Sequence, residues 1–512
     1  MSRINTNVQS LIAQRVLSQN NQALSQSLER LSTGLRISRG KDDPAGLIAS
    51  ENLRAEKAAL NAAIGNAERA DQVMNIAEGG LQEISSLLTE LQGLVTATAN
   101  KAGISLAEKE ANQLQIDSIL QTIDRIASAT SFQGIKLLNG NFAYQATAVS
   151  AGVVDFQING AKLQPNQNLN VTAIVTTSAQ QAGLYLSTGA TLNLNGGENA
   201  AFTIEVSGAL GSRQLSFASG TTTAEIAATI NTFTDVTGVR ATAIASGGSN
   251  GIALASTEFG SDQFVSVKVV DAADIQGANV GIYNKGAQAF DTIDTNLVAA
   301  FSDNTAKNGV RDKGQDVVAT INGIAATSKG KTVRINTDFL NVSLTLSTDA
   351  SQTRGTKNAF TITGGGADFQ LAGDVNIGSK VAIGLGDVAA RKLGATDKDG
   401  TLKFLSDLAS GKSLNVVDGN ITDAQKVVSQ AITQITSLRG RLGAFQKNTV
   451  GATIRSLGIS LENTSAAESV IRDADFAKET AALTRNQILS QASTNILTLA
   501  NSQPQSALAL LG

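Results

Sequence analysis

Asp42 and Asp43, flanked by Arg39 and Lys41, come nearest to a reactive cluster, either an acid–base pair or a cation site. A plainer reading competes with that one. Asp43 precedes Pro44, and an aspartate ahead of a proline at the first helical position is a helix N-cap, with Asp42 left in a solvated loop. Capping accounts for both carboxylates at less cost than a site does. The Gly364-Gly365-Gly366 run invites a phosphate loop. It lacks the Gly-Lys-Ser/Thr continuation and the helix start that would hold a phosphate, so it reads as a turn between strands. Asn170, Asn341, Asn420 and Asn463 open Asn-x-Ser/Thr triplets. In a chain this rich in Asn, Ser and Thr such triplets arise by chance, and no glycan is expected on them.

The missing residue types say more. There is no His, Cys or Trp, which removes Ser-His-Asp and Cys-His nucleophiles, thiolate and imidazole zinc sites, and disulfides. Carboxylate, lysine and tyrosine chemistry stay formally open, with nothing pairing them. The expectation is a non-enzyme with no catalytic residue, no metal and no cofactor. With 40 Lys+Arg against 43 Asp+Glu, the net charge of −3 collects neither nucleic acid nor anionic membrane. No stretch approaches the ~18 apolar residues of a membrane span, and residues 1–35 hold no run like a signal-peptide core.

Composition divides the chain into three. Residues 1–133 are rich in Ala, Leu, Gln and Asn with a helical period; residues 134–411 turn Gly-, Thr- and Val-rich; helical periodicity then returns. The clearest period runs Ala67, Ala70, Met74, Ala77, Leu81, Ile84, Leu88, Leu91, Val95, a heptad seam. So long a helix needs partners along its length. Residues 114–127, with Ile116, Ile119, Ile123 and Ile126 on one face, supply one. A segment carrying Val428, Ala431, Ile435, Leu438, Leu442 and Phe445 supplies another, giving three rods, antiparallel or parallel. Capping boxes at Ser105/Glu108, Thr422/Gln425 and Ser465/Glu468, together with Asp43-Pro44, predict breaks near 43, 103, 421 and 464.

Weaker stripes mark the extreme ends: Leu17, Leu24, Leu28, Leu31 and Leu35, then Ala482, Leu489, Ala492, Ile496 and Leu499. Gln, Asn, Ser and Thr separate them in place of Glu/Lys pairs. Such helices are marginal alone, so both ends are expected to be largely disordered in the free chain and to fold against each other and against neighbours on assembly. In the centre, strands are expected at 202–206, 264–270, 342–347 and 360–363, with a short helix at 222–232 and two small β units at 202–271 and 316–371. The fold class is therefore α+β multidomain: a long α-helical coiled coil or bundle from both termini with a β-rich central insert of hairpins and small α+β units.

The end sequences are specific. MSRINTNVQSLIAQRVL and LERLSTGLRISRGKDDPAGLIASENLRAE at one end, and LRGRLGAFQKNT, LENTSAAESVIRDADFAKET and NQILSQASTNILTLANSQPQSALALLG at the other, resemble the bacterial flagellins. FQL at 369–371 followed by VAIGLGDV resembles the family's hairpin where the helical region resumes.

The resemblance implies a secreted structural subunit that polymerises into the extracellular flagellar filament for swimming. It implies a filament-core coiled coil from residues 1–44 and 469–512, a helical rod with a β-hairpin from 45–145 and 366–468, and a variable outer β-rich insert of two lobes at 146–365. Filament-core assembly would fall to Ile4, Val8, Leu11, Leu17, Leu24, Leu28, Leu31, Leu35, Phe476, Leu483, Leu489, Ala492, Ile496 and Leu499. Rod packing would fall to Met74, Leu81, Ile84, Leu88, Leu91, Val95, Val428, Ile435, Leu438, Leu442 and Phe445. Partners implied are the chain itself as a homopolymer, an export chaperone on the C-terminal helices, the filament cap and hook–filament junction proteins. Export would use the flagellar type III apparatus without a cleaved signal peptide. Members sensed by Toll-like receptor 5 carry Arg and Glu where this chain has Glu90 and Gly93, and an acidic residue where it has Gln115. The patch Leu88, Glu90, Leu91, Gly93, Leu94 and Gln115 is therefore expected to bind that receptor weakly. The alternatives are a hook–filament junction-type axial protein, or a filament subunit whose outer domains also act as an adhesin. A metalloprotease insert would need HExxH, which a chain without His lacks.

Overall fold

The computed structural model describes residues 6–100, 103–164, 167–195, 200–246, 249–277, 279–285, 293–398 and 401–509. Helices α1 (Val8–Thr33), α2 (Pro44–Thr98) and α3 (Leu106–Ala129) come first. Short helices α4 (Thr223–Thr232), α5 (Thr234–Thr237), α6 (Asn304–Asn308) and α7 (Thr348–Gln352) punctuate the β-rich centre. The last part holds α8 (Ile421–Ala444), a π-turn at Phe445–Val450, α9 (Gly451–Arg472) and α10 (Phe476–Ala509).

Caps explain most of these limits. Asp43 Oδ1 accepts the Gly46 N–H at 2.9 Å and opens α2, as its place before Pro44 predicts. The Ser105/Glu108 box is reciprocal at 3.2 and 2.7 Å, and a second, Thr222/Glu225, starts α4. α1 stops at Gly34, whose φ of 70° is left-handed and lets its N–H reach Arg30 C=O. One expected cap and one expected start are wrong: the break near 421 holds, with a different cap. α8 is capped by Asn420, which accepts the Thr422 and Asp423 N–H groups at 3.1 and 3.3 Å, so Thr422 already lies inside the helix. Ser465 and Glu468 begin nothing: α9 runs through them, and both bind Lys57 Nζ, at 3.1 and 3.3 Å. A Ser-x-x-Glu quartet places its two side chains on one helix face whether or not the helix starts there, and only a break upstream makes it a cap. The break lies at Asp473 instead, and Asp475 caps α10 by accepting from Ala477 and Lys478 N–H.

Two compact units emerge. The first comprises residues 1–85, 369–381 and 433–512. Within it Met74, Leu81 and Ile84 are completely buried on α2, and Ile435, Leu438 and Leu442 are buried on α8. Ala67 and Ala70 pack with Leu371 and Val450, flanked by Phe369, Val381, Phe445 and Ile454. Alanine at these heptad positions lets bulky neighbours from the turn and hairpin approach the helix backbone. The Phe369 and Phe445 rings lie 6.2 Å apart, and Leu371 N–H closes on Ser379 C=O at 3.1 Å. The Arg439–Glu78 ion pair at 2.8 Å ties α8 to α2.

The second unit comprises residues 86–368 and 382–432. Its helical part buries Leu88, Leu91 and Val95 of α2, Ile116, Ile119 and Ile123 of α3, and Val427, Val428 and Ala431 of α8. Ile126 is only half-buried. Buried Gln113 is satisfied at both ends of its amide, donating to Leu408 C=O at 2.8 Å and accepting from Val416 N–H at 2.9 Å, and so pins the loop between them.

Two β cores follow in the same unit, each between a five- and a four-stranded antiparallel sheet. The first five strands run Ile293–Ala300, Gly281–Lys285, Gly183–Ser187, Ser249–Ser256, Val239–Ser246; their partners are Val310–Lys313, Phe264–Asp271, Ala201–Gly208, Ser212–Ala218. Between them Phe202 and Phe301 pack edge-on at 4.9 Å, and α4 contributes Ile226 and Ile230. The second core sets Ile324–Ala325, Val318–Ile321, Leu169–Thr177, Gly355–Gly365, Tyr144–Thr147 against Thr327–Lys329, Thr332–Asn336, Leu340–Leu346, Val153–Ala161. Leu340, Val342, Leu344 and Leu346 show the period of two that makes one face of a strand apolar. The expected units 202–271 and 316–371 fall in different cores, and the second closes only with strands from residues 144–177.

Tyr144 occupies the end of that second core. Its hydroxyl donates to Ala161 C=O at 3.1 Å and accepts the Ala161 N–H at 2.9 Å. Gly366, at a φ of +85°, lies against the ring, where any Cβ would collide; this is the turn expected for the glycine run. Burial pushes the phenol up to about 12 from 10.0. The fold therefore favours the neutral phenol: its contribution to stability is complete below pH 10 and is lost as the pH rises through about 12. Absorbance titration of the three tyrosines should show one phenol, missing in Tyr144→Phe, that ionises only as the fold is lost. Ionisation of Tyr144 at its ordinary pKa in folded protein would contradict this.

Candidate assembly surface

α1 and α10, both in the first unit, lie side by side and antiparallel. Asn7 Nδ2 donates to Ala500 C=O at 2.8 Å, Asn20 Nδ2 to Ser493 Oγ at 2.6 Å and Ser490 Oγ to Asn21 Oδ1 at 2.7 Å. Asn486 Nδ2 donates to Ser27 Oγ at 3.1 Å, and Arg30 pairs with Glu479 at 3.1 Å. Among the described residues, those buried on this pair are small or polar: Ser10, Ala13 and Ser27 on α1, and Glu479, Ser493 and Ala500 on α10.

Many of the large apolar side chains point elsewhere. Val8 is 56% exposed, Leu11 60%, Leu28 49%, Phe476 59%, Leu489 43%, Ile496 59% and Leu499 64%. Ala492 is exposed too, while Leu17, Leu24, Leu31, Leu35 and Leu483 are half-buried. Ile4 lies outside the described residues. Ile12, Val16 and Ile488 are also exposed; they sit off the three-and-four stripe, and their only signal was an apolar side chain beside a predicted one. The expected stripes are thus covered only in part within the chain: Leu17, Leu24, Leu31 and Leu35 are half-buried, and Leu28, Leu489, Ile496 and Leu499 stay exposed. Serine and alanine let the two backbones approach closely, and leucine would hold them apart. α1 and α10 are continuous helices in the single chain, yet among the described residues the pair covers no large apolar side chain completely.

The loop between α1 and α2 is held by Asp42, whose Oδ2 accepts from Ser38 N–H at 3.2 Å and Arg39 N–H at 3.0 Å. These donors, with Arg39 first, hold its carboxyl below the usual range. With Asp43 capping α2, both candidate carboxylates serve the turn. A groove of about 1200 Å³ runs between this loop and α1, lined by Gln14, Leu17, Ser18, Gln22, Glu29 and Arg39 among others. No described helix is long and apolar enough to cross a membrane.

Of the rod-packing residues, all lie in the interior except Phe445, which is half-buried. In the suspected receptor patch, Leu88 and Leu91 are fully buried and face the core, so the folded chain offers a receptor only Glu90, Gly93, Leu94 and Gln115.

Residues 4–143 match the family described as the bacterial flagellin N-terminal helical region, and residues 425–511 the bacterial flagellin C-terminal helical region. Residues 201–258, in the first β core, match the flagellin hook IN motif. The chain is 27% identical to Flagellin B of Helicobacter pylori over 533 aligned residues and 28% to Flagellin C of Vibrio cholerae over 509, covering 99% of both partners in each case. Among solved structures it is similar to the D1-D2-D3 domains of the flagellar cap protein FliD from Escherichia coli, with 14% identity, 83% of this chain, 96% of that one and a TM-score of 0.26. It is also similar to flagellar hook associated protein-3 from Legionella pneumophila, with 11% identity, 81% of this chain, 97% of that one and a TM-score of 0.28. Neither superposition is close enough to map one site onto another.

Proposed function

The chain belongs to the bacterial flagellin family, and from that premise we propose that it is the structural subunit which polymerises into the extracellular flagellar filament for swimming. One observation carries the assembly mechanism: the paired end helices turn Val8, Leu11, Leu28, Phe476, Leu489, Ile496 and Leu499 toward solvent. Exposed apolar surface of that kind on neighbouring elements is covered by another molecule. When the covering patch lies elsewhere on an identical copy, the contact does not close, and an open helical polymer grows. Every added copy then buries the stripe of the copy before it.

In this reading residues 1–44 and 469–512 form the filament core, 45–145 and 366–468 the rod, and 146–365 the outer insert. The role is structural and no catalytic group is assigned. The chain leaves the cell through the flagellar type III apparatus, an export chaperone covers the C-terminal helices beforehand, and the cap and hook–filament junction meet the filament at its two ends. Purified chain added to sheared filament fragments is expected to extend them into long filaments under the electron microscope. Failure to extend any seed at concentrations where other flagellins grow overturns the assignment.

Recognition by Toll-like receptor 5 is weak in the same reading. Glu90 reverses a charge and Gly93 removes a carboxylate at positions that would be desolvated on binding, and unpaired groups at such positions cost several kcal/mol. A receptor reporter cell should respond to this protein far less than to an activating flagellin at equal dose, and an equal response would refute the point.

A further inference from the structure

The seam between α1 and α10 is polar where an apolar one would bind more tightly. Asn20–Ser493, Asn21–Ser490, Ser27–Asn486 and Arg30–Glu479 recur along the pair, and Ser27, Ser493 and Glu479 are buried. Leucines recurring every three or four residues would find partners at several alignments one turn or one heptad apart. The polar pairs do not. Sliding either helix by a turn separates each donor from its acceptor and leaves the buried Ser27 and Ser493 hydroxyls and the Glu479 carboxylate unpaired, together with the half-buried Asn20 and Asn486 amides, which is disfavoured far more than a shifted apolar contact.

We propose that these polar pairs are a register key: they select the single alignment of α1 on α10 at which the outward apolar residues of both helices form one continuous surface for the next copy of the chain. The proposal rests on the filament-subunit reading and assigns to Asn20, Ser27, Asn486 and Ser493 a positioning role. They do not touch the incoming copy; they set where Leu11 and Leu28 stand relative to Leu489 and Ile496.

The chain has no cysteine, so introduced pairs report register without interference. In chain incubated with filament seeds and oxidised, Asn21→Cys with Ser490→Cys should cross-link about tenfold more than Asn21→Cys with Leu497→Cys, which samples a one-heptad slip. In an Asn20→Leu, Asn486→Leu, Ser493→Leu background the two yields should become comparable and seeded growth should fall by about tenfold or more. An Asn20→Ala, Asn486→Ala background, which adds no large apolar surface, should shift the yield ratio in the same direction; it keeps the test decisive should the leucine variant aggregate. A yield ratio and growth rate unchanged in the alanine background overturn the register key. Absence of the Asn21–Ser490 cross-link from parent filaments that do grow also overturns it. A parent that extends no seed fails earlier, at the filament-subunit reading.

Discussion

Replacing Leu489 and Ile496 together by glutamate stops filament growth from seeds and leaves the unfolding of the monomer unchanged. Both side chains lie on the outward face of α10, 43% and 59% exposed, so in the single chain a glutamate there meets water. In the polymer the same positions are covered. Burying a leucine or isoleucine contributes roughly 1.5–3 kcal/mol, and a carboxylate in its place must be desolvated without a partner, which reverses the sign and enlarges the effect. Two such changes recur at every subunit contact, so the critical concentration rises beyond any practical value. Sedimentation of seeded mixtures reads the polymer, and denaturant unfolding followed by circular dichroism reads the monomer. Normal filaments from the double variant would remove the outward stripe from the assembly mechanism. A monomer that unfolds at markedly lower denaturant would mean that the stripe already packs within the chain.

The second large effect runs the other way. Leu81→Ala should destabilise the first unit by about 2–5 kcal/mol, because Leu81 is completely buried on α2 and truncation leaves a cavity whose walls cannot collapse along a rigid helix. Leu489→Ala, at an exposed site, should change monomer stability by no more than about 0.5 kcal/mol. The two leucines occupy the same kind of position in helical stripes and differ only in what covers them. Equal destabilisation by the two alanine variants would show that the assignment of one stripe to the fold and the other to assembly is mistaken.

Particular elements show where sequence reasoning succeeded. The residues from Met74 to Val95 that step by three and four are all buried, because so regular an apolar face on a long helix has to be covered within the chain or by a partner. Asp43-Pro44 and Ser105/Glu108 cap where they stand, since the hydrogen bonds involved span only three residues. Ser465/Glu468 has the same local pattern and caps nothing, since whether α9 was already under way depends on residues upstream and on Lys57, which reaches them from α2. Leu88 and Leu91 were assigned both to the rod core and to a receptor patch. Spacing on a helix gives a face, and only packing tells which face is inside.

From the sequence alone came the α+β class, the long seam on α2, the central strands and the absence of imidazole and thiol chemistry, because each of these is written in residue type or in periods of two, three and four. The tertiary structure decided which stripe covers which. At the two ends it placed serine, alanine and asparagine between α1 and α10 and left Leu11, Leu28, Leu489 and Leu499 exposed, with the other stripe leucines half-buried. Nothing local distinguishes a stripe that meets its own chain from one that waits for another copy, since both are apolar at the same spacing. The choice follows from how closely two backbones approach, and that distance is set by residues nearly five hundred positions apart along the chain, as with Asn7 and Ala500 at a separation of 493.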